Sequence, residues 1–335
     1  MKAAGVKPAG VKAAGVKAAG VTWAGVLKGG LFVLALAALP LLGLPHWVLN
    51  MLVFVLMFAA LASAWNLVGG LTGYPSLGHA AFFGIGAYAF ALILHRQTEL
   101  THGWQPFAWL PAIGVGTALI GVPIAAIAMR TRADVFAIVT ITLLFVVQTL
   151  AFNLHGLTGG AQGLSFPVAP FPADTFERPF YYVLLGLLVL AMLLTFGTLR
   201  SKIGLALATV RGDEDKARGL GIPVAGAKVL AFAVSVGLTA MVGAVWAYYQ
   251  VGIIYPQFAV DPLLTIAMVL MVFLGGRGTL WGPVLGAFVL ESGQQYLAYE
   301  LGASQFYLIA YAMIFLLIML VLPRGVLPSL AGRLR

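Results

Sequence analysis

Long apolar runs constrain this chain more than any single motif. Val48–Val68 carries no charged side chain, and comparable runs recur along the 335 residues. At the helical rise, a run of about 20 residues measures roughly 30 Å, the thickness of a bilayer's hydrocarbon core. Composition agrees: 61% of residues are hydrophobic and 9% are charged, where a soluble domain has about 25% charged. A folded soluble domain needs a polar exterior, which this chain cannot supply. The solvent is lipid. A soluble enzyme and a disordered scaffold are excluded, and with no cysteine so is a disulfide-stapled secreted protein.

Ten segments are candidate membrane spans, so the expected fold is an all-α, polytopic transmembrane helical bundle of about ten spans (eight to ten). The clearest are Val48–Val68, Phe107–Met129, Val135–Leu154, Pro179–Leu199, Val229–Tyr249 and Phe306–Leu322. Leu31–Leu44, Ala80–Leu94, Leu263–Leu274 and Pro283–Leu297 are short or interrupted by Pro and Gly, which fits tilted, broken or re-entrant elements. With both termini in the cytoplasm, 17 of the 19 Lys and Arg residues fall on inner segments, leaving Arg96 and Arg178 outside. That bias supports the ten-span topology and explains the net charge of +9 without nucleic acid.

Residues 1–28 read as a flexible basic tail with a five-residue repeat opened by Lys2, Lys7, Lys12 and Lys17. Five residues turn a helix by 500°, so these lysines form no single face; they suit contact with anionic lipid. A signal peptide with Leu31–Leu44 as its apolar region is the rival, although no small-x-small cleavage site follows Leu44. Residues 29–327 form the transmembrane domain, and 328–335 a cytoplasmic tail.

Three stretches break the apolar pattern. In Asn66–Tyr88, Gly69, Gly70, Gly73 and Gly78, with Pro75, oppose a continuous helix. Such backbone at a membrane is tolerated in a protein-lined cavity. One reading is a broken element beside a translocation path, with Asn66, Ser76 and His79 as its polar groups. The other is a cytoplasmic turn with close helix packing, His79 then being a structural hydrogen-bonder. In Gly275–Gly286, Gly278, Gly282 and Gly286 stand four apart, which suits close backbone packing or a substrate role. The longest inner loop, Arg200–Lys228, places Asp213, Glu214 and Asp215 beside Arg211, Lys216 and Arg218. The loop is predicted to hold one helix over Leu205–Arg218, ended by Gly219 and Gly221, that is either solvated or docks a partner. Glu291, inside Pro283–Leu297, must face protein or an aqueous cavity, with Gln295 one turn on.

The absences bear on energy supply. No G-x-x-x-x-G-K-[ST] loop, H-E-x-x-H pair or cysteine cluster is present, so no catalytic or metal-ligating set is assigned. If ATP drives this protein, another subunit must hydrolyse it.

Leu77-Gly78-His79-Ala80-Ala81-Phe82-Phe83-Gly84-Ile85-Gly86-Ala87-Tyr88 resembles a motif of the permease subunits of branched-chain amino-acid ABC importers, specifically the longer of the two paired permeases. Phe136-Ala137-Ile138-Val139-Thr140, Leu157-Thr158-Gly159-Gly160, Leu274-Gly275-Gly276, Gly282-Pro283-Val284-Leu285-Gly286 and Pro323-Arg324-Gly325 extend the likeness in order, so that it covers about Val48 to Leu327. It implies a multi-pass subunit of the bacterial or archaeal inner membrane that works by alternating access. Its partners would be a second similar permease, two ATPase subunits carrying ATP and Mg, and a periplasmic or lipid-anchored binding protein. The chain itself would hold no cofactor. The same likeness puts Arg211, Asp213 and Glu214 in the segment that docks on the ATPase, with Gly221 helping to end its helix. Gly212 and Ala208 depart from the polar or basic residues usual there, and the N-terminal repeat has no counterpart. Urea or short amides are an alternative cargo. A stand-alone secondary transporter using Glu291 for ion coupling is the more distant rival.

Overall fold

A computed structural model describes residues 23–97, 103–250, 252–301 and 313. The helices run α1 (Trp23–Ala38), α2 (His46–Trp65), α3 (His79–Arg96), α4 (Leu110–Ala128), α5 (Ala133–Asn153), α6 (His155–Thr158), α7 (Glu177–Arg200), α8 (Lys202–Gly212), α9 (Glu214–Gly219), α10 (Val224–Tyr249), α11 (Pro256–Ala259), α12 (Pro262–Gly275) and α13 (Gly282–Leu301). Among the described residues, the one departure from an all-α description is β1 (Leu164–Ser165) paired antiparallel with β2 (Ile253–Ile254), Leu164 opposite Ile254. Nine of the ten apolar segments coincide with helices. Apart from Met313, Phe306–Leu322 lies outside the described residues, as do residues 1–22 and the tail 328–335. Helix α1 begins at Trp23, inside the stretch assigned to the N-terminal tail.

Among the described residues, six helical stretches are long and apolar enough to cross a membrane: His46–Gly70, Gln105–Ala128, Ala133–Asn153, Ala173–Arg200, Val224–Tyr249 and Pro256–Gly275. The protein is therefore a multi-pass membrane protein. Two of the six are interior, with 72% of the α10 window and 67% of the α2 window buried, against 22% for α5. Helix α10 packs along α3 and α4, while α2 packs on α7 and α13, and α12 on α13. Small residues permit this. Gly86 lies against the backbone of Ala240, and Gly243 against the carbonyl of Phe83, so α3 and α10 approach backbone to backbone. Lipid offers no hydrophobic drive between helices, so close van der Waals packing of this kind carries the association.

Three local expectations change. The helix does not break at Gly69 and Gly70; α2 continues as a π-helical turn over Asn66–Gly70, and only residues 71–78 leave helical geometry. The Trp65 ring occupies the space a side chain at Gly69 would need, and its indole N–H donates to the Ser76 carbonyl at 2.7 Å. The single helix predicted over Leu205–Arg218 is two helices, α8 and α9. They divide at Asp213, whose extended backbone and carboxylate cap α9 by accepting from the Lys216 N–H at 3.1 Å. Third, Gly278 does not continue the four-residue series of Gly282 and Gly286, because α13 starts at Gly282 and Gly278 sits in the preceding loop at φ +74°.

Candidate functional site

The three irregular stretches, far apart in sequence, meet at one end of the bundle. Asn66 is fully buried; its side-chain amide donates to the Thr279 carbonyl at 2.9 Å, and its oxygen accepts from the Gly278 N–H at 2.8 Å. The end of α2 is thus bound to the α12–α13 loop. Arg211 of α8 reaches into the same place and donates to the Gly70 carbonyl at 2.8 Å. Its side chain passes between Gly73 and Gly278, both in the left-handed region where a Cβ would be strained. A cavity of about 360 Å³ opens beside it, bordered by Leu71, Leu199, Gly204, Ala208, Arg211 and Gly278.

A second knot lies alongside. The Tyr74 hydroxyl donates to Glu214 Oε2, while Lys228 Nζ donates to Glu214 Oε1 at 3.0 Å and to the Met129 carbonyl at 2.9 Å. Arg218 Nη2 also donates to Glu214 Oε1, at 2.6 Å. Lys228 is 1% exposed and stands 4.0 Å over the Tyr74 ring centroid. Met129 is the C-cap of α4, where a cation complements the helix dipole. Burial alone would raise the Glu214 carboxyl; the bonds from Tyr74, Lys228 and Arg218 outweigh it and hold the carboxyl below its usual range. Burial first, then Glu214, pushes the Tyr74 phenol up, so it remains a donor. Asp213 is held below its usual range by hydrogen bonds from Lys216.

His79, fully buried, opens α3 within a chain of hydroxyls. Its Nδ1 lies 2.9 Å from Ser76 Oγ and its Nε2 2.7 Å from Ser235 Oγ. Ser235 donates its one proton to the Ala64 carbonyl at 2.6 Å, so Nε2 must donate and Nδ1 must accept from Ser76. The imidazole is neutral and fully satisfied. Nearby, Gly78 abuts the Thr140 carbonyl, and the Leu77 N–H donates to Thr140 Oγ1 at 3.0 Å, which seats α5 on this turn.

Among the remaining predicted site residues, Gly282 and Gly286 lie against the carbonyls of Gly276 and Met271, joining α13 to α12. Gly221, at φ +75°, reverses the chain after α9, and the Ile222 N–H returns to the Ala217 carbonyl at 3.2 Å. Glu291 is 1% exposed. Its Oε1 accepts from Gln295 at 2.8 Å and its Oε2 has no partner among the described residues, so it shares no hydrogen bond with the junction. Sequence reasoning missed Tyr74, Lys228, Ser235 and Thr140. Lys228 alone carried a signal, as a single cation at the entrance of an apolar helix. Among the described residues, no group of three or more His, Cys, Asp or Glu side chains could hold a metal.

Comparison with known proteins follows the same lines. Residues 47–322 match the family described as "Branched-chain amino acid transport system / permease component". The chain is 27% identical over 314 residues to the "High-affinity branched-chain amino acid transport system permease protein LivM" of Escherichia coli (strain K12), covering 85% of this chain and 71% of that one; the Salmonella typhimurium protein of that name matches equally. It is 24% identical over 268 residues to the "Probable branched-chain amino acid transport permease protein LivM" of Methanocaldococcus jannaschii, covering 70% of this chain and 77% of that one. No solved structure matches significantly. The chain belongs to the permease-component family of branched-chain amino acid transport systems.

Proposed function

We propose that this chain is the permease subunit of an ATP-binding-cassette importer, forming the path for branched-chain amino acids across a bacterial or archaeal inner membrane. Its partners are a second homologous permease, two ATPase subunits that hold ATP and Mg, and a periplasmic or lipid-anchored binding protein. The chain itself performs no hydrolysis and binds no cofactor. The observation that carries this reading is the family match over residues 47–322, and the names of the relatives support the cargo.

The bundle crosses the membrane about ten times with both termini in the cytoplasm, a topology supported by the charge bias of 17 inner against 2 outer cations. Helices α8 and α9 then lie on the inner face, where Arg211, Asp213 and Glu214 belong to the contact with the ATPase. ATP shifts the permease between outward and inward states only by its differential affinity for them, so the bistable element must touch the docking segment. The bonds of Arg211 to Gly70 and of Glu214 to Tyr74 and Lys228 supply that contact. Asn66, Ser76 and His79 stand on the moving wall of the path, and Glu291 is its fourth candidate residue.

The test is purification of the tagged protein from its native membrane in mild detergent, followed by uptake assays. Co-purification of a P-loop ATPase and a second permease, with a binding protein that takes leucine, isoleucine or valine over urea and amides, is the expected result. Glu214→Lys uncouples transport, and Glu291→Gln is milder. Proton-driven uptake by this chain alone, abolished by Glu291→Gln, would overturn the reading in favour of a secondary transporter.

A further inference from the structure

We propose that Lys228 and Tyr74 are positioning residues. With Glu214 they form a joint that transmits movement of α8–α9 to the ends of α4 and α10 and to the loop over residues 71–78. This rests on the reading that α8–α9 meets an ATPase, and names the parts inside the permease that such a meeting must act through.

The argument begins with how α9 is held. It is six residues long, far below the length at which a helix is stable alone. Its single buried side chain is Ala217, while Asp215, Lys216, Arg218 and Gly219 are exposed. The only α9 side chain that hydrogen-bonds outside the α8–α9 segment, among the described residues, is Glu214. Apart from its backbone links to α8 and α10, a push on the exposed face of α9 therefore leaves it through Ala217 packing or through the Glu214 carboxylate.

Lys228 receives that push in three directions. An ammonium has three protons, and here it faces three different segments: the Glu214 carboxylate of α9, the Met129 carbonyl that ends α4, and the Tyr74 ring of the 71–78 loop. Its own backbone belongs to α10, the most buried helix of the bundle. Tyr74 closes the triangle by donating to the other Glu214 oxygen. The 71–78 loop leads directly into α3, which packs along α10 and begins at the His79 hydrogen-bond chain. Lys202 and Lys216, by contrast, are exposed. A cation placed there merely as an inner-face topology signal would be solvated.

The test uses the complete importer, with its ATPases and binding protein, in proteoliposomes, reading substrate imported per ATP hydrolysed. Lys228→Met keeps the apolar stem and removes all three donors. The expected result is that ATPases still co-purify and hydrolyse, while import per ATP falls at least tenfold. Tyr74→Phe, which keeps the ring, lowers it several-fold, and the double variant is no worse than Lys228→Met because both act in one joint. Import and hydrolysis falling in parallel would mark a merely structural pair and overturn the proposal, as would an unchanged ratio.

A second measurement does not depend on the ATPase. The chain has no native cysteine, so spin labels at Gly219→Cys on α9 and Arg132→Cys beyond α4 report one distance in the intact permease. The distribution is expected to be narrow in the parent and broad in Lys228→Met. Equal breadth overturns the joint, even if the parent hydrolyses ATP normally. A parent without ATP-driven import would instead count against the importer reading, with the distance measurement still deciding whether the joint holds α9.

Discussion

At the scale of single residues, the buried polar groups around His79 and Lys228 are paired with specific partners, and their removal has calculable consequences. Ser235 accepts from His79 and donates to the Ala64 carbonyl. Ser235→Ala leaves a buried imidazole N–H unpaired, which costs about 1–3 kcal/mol. Thermal unfolding in detergent should show the loss, and Ser235→Thr should recover most of it. The Glu214 carboxyl is held below its ordinary value by the bonds from Tyr74, Lys228 and Arg218, which outweigh its burial. A carboxyl depressed in the folded state stabilises it fully above that ordinary value, and the contribution disappears as pH falls through the folded one. The parent should therefore lose more stability than Glu214→Gln on acidification below the ordinary range, as followed by melting temperature against pH; parallel curves would remove Glu214 from the stability of the inner face. Breaking a buried ion pair by removing one partner costs about 3–5 kcal/mol. Glu214 is 20% exposed, so Lys228→Met belongs near the lower end.

Helices and turns obey the spacing of small residues. Gly286 and Gly293 lie on the same helix, yet Gly286 abuts the Met271 carbonyl and Gly293 has no neighbouring atom within 4 Å of a built Cβ. Gly286→Ala is expected to cost about 1–3 kcal/mol through overpacking, while Gly293→Ala is neutral or slightly stabilising because alanine favours the helix. Comparing the two by unfolding or by detergent-resistant yield isolates the α12–α13 contact. The division of the inner loop at Asp213 belongs to this scale too. Gly212 is a poor helix former and Asp213 a good cap. That signal was in the sequence, but a periodicity reading of Leu205–Arg218 passes over it because both halves are charged and helical. The π-helical turn was less legible. Two glycines after Asn66 read as a break, and what carries the helix through them is the neighbouring Trp65 ring and a hydrogen bond from the Asn66 side-chain amide to the Thr279 carbonyl, a partner that no local window contains.

For the whole molecule, the sign of the inner face governs what the junction can do. Lys202, Lys216 and Asp174 are all exposed, and the proposed topology puts the two lysines inside and Asp174 outside. In intact cells a membrane-impermeant maleimide should label Asp174→Cys and spare Lys202→Cys and Lys216→Cys. The opposite pattern would invert the bundle and remove α8–α9 from any cytoplasmic ATPase. Membrane residence and the positions of the described helices were legible in the sequence alone, because the bilayer imposes length and polarity on every segment independently of the others. The family followed from motifs in fixed order. Only the tertiary structure decided that Asn66, Arg211 and Gly278 share one junction, that Lys228 is a buried partner of Glu214 rather than a solvated charge, and that His79 is saturated by Ser76 and Ser235. These are pairings between residues up to 213 positions apart. A hydrogen bond depends on where two helices bring their side chains, and no property of either local sequence fixes that.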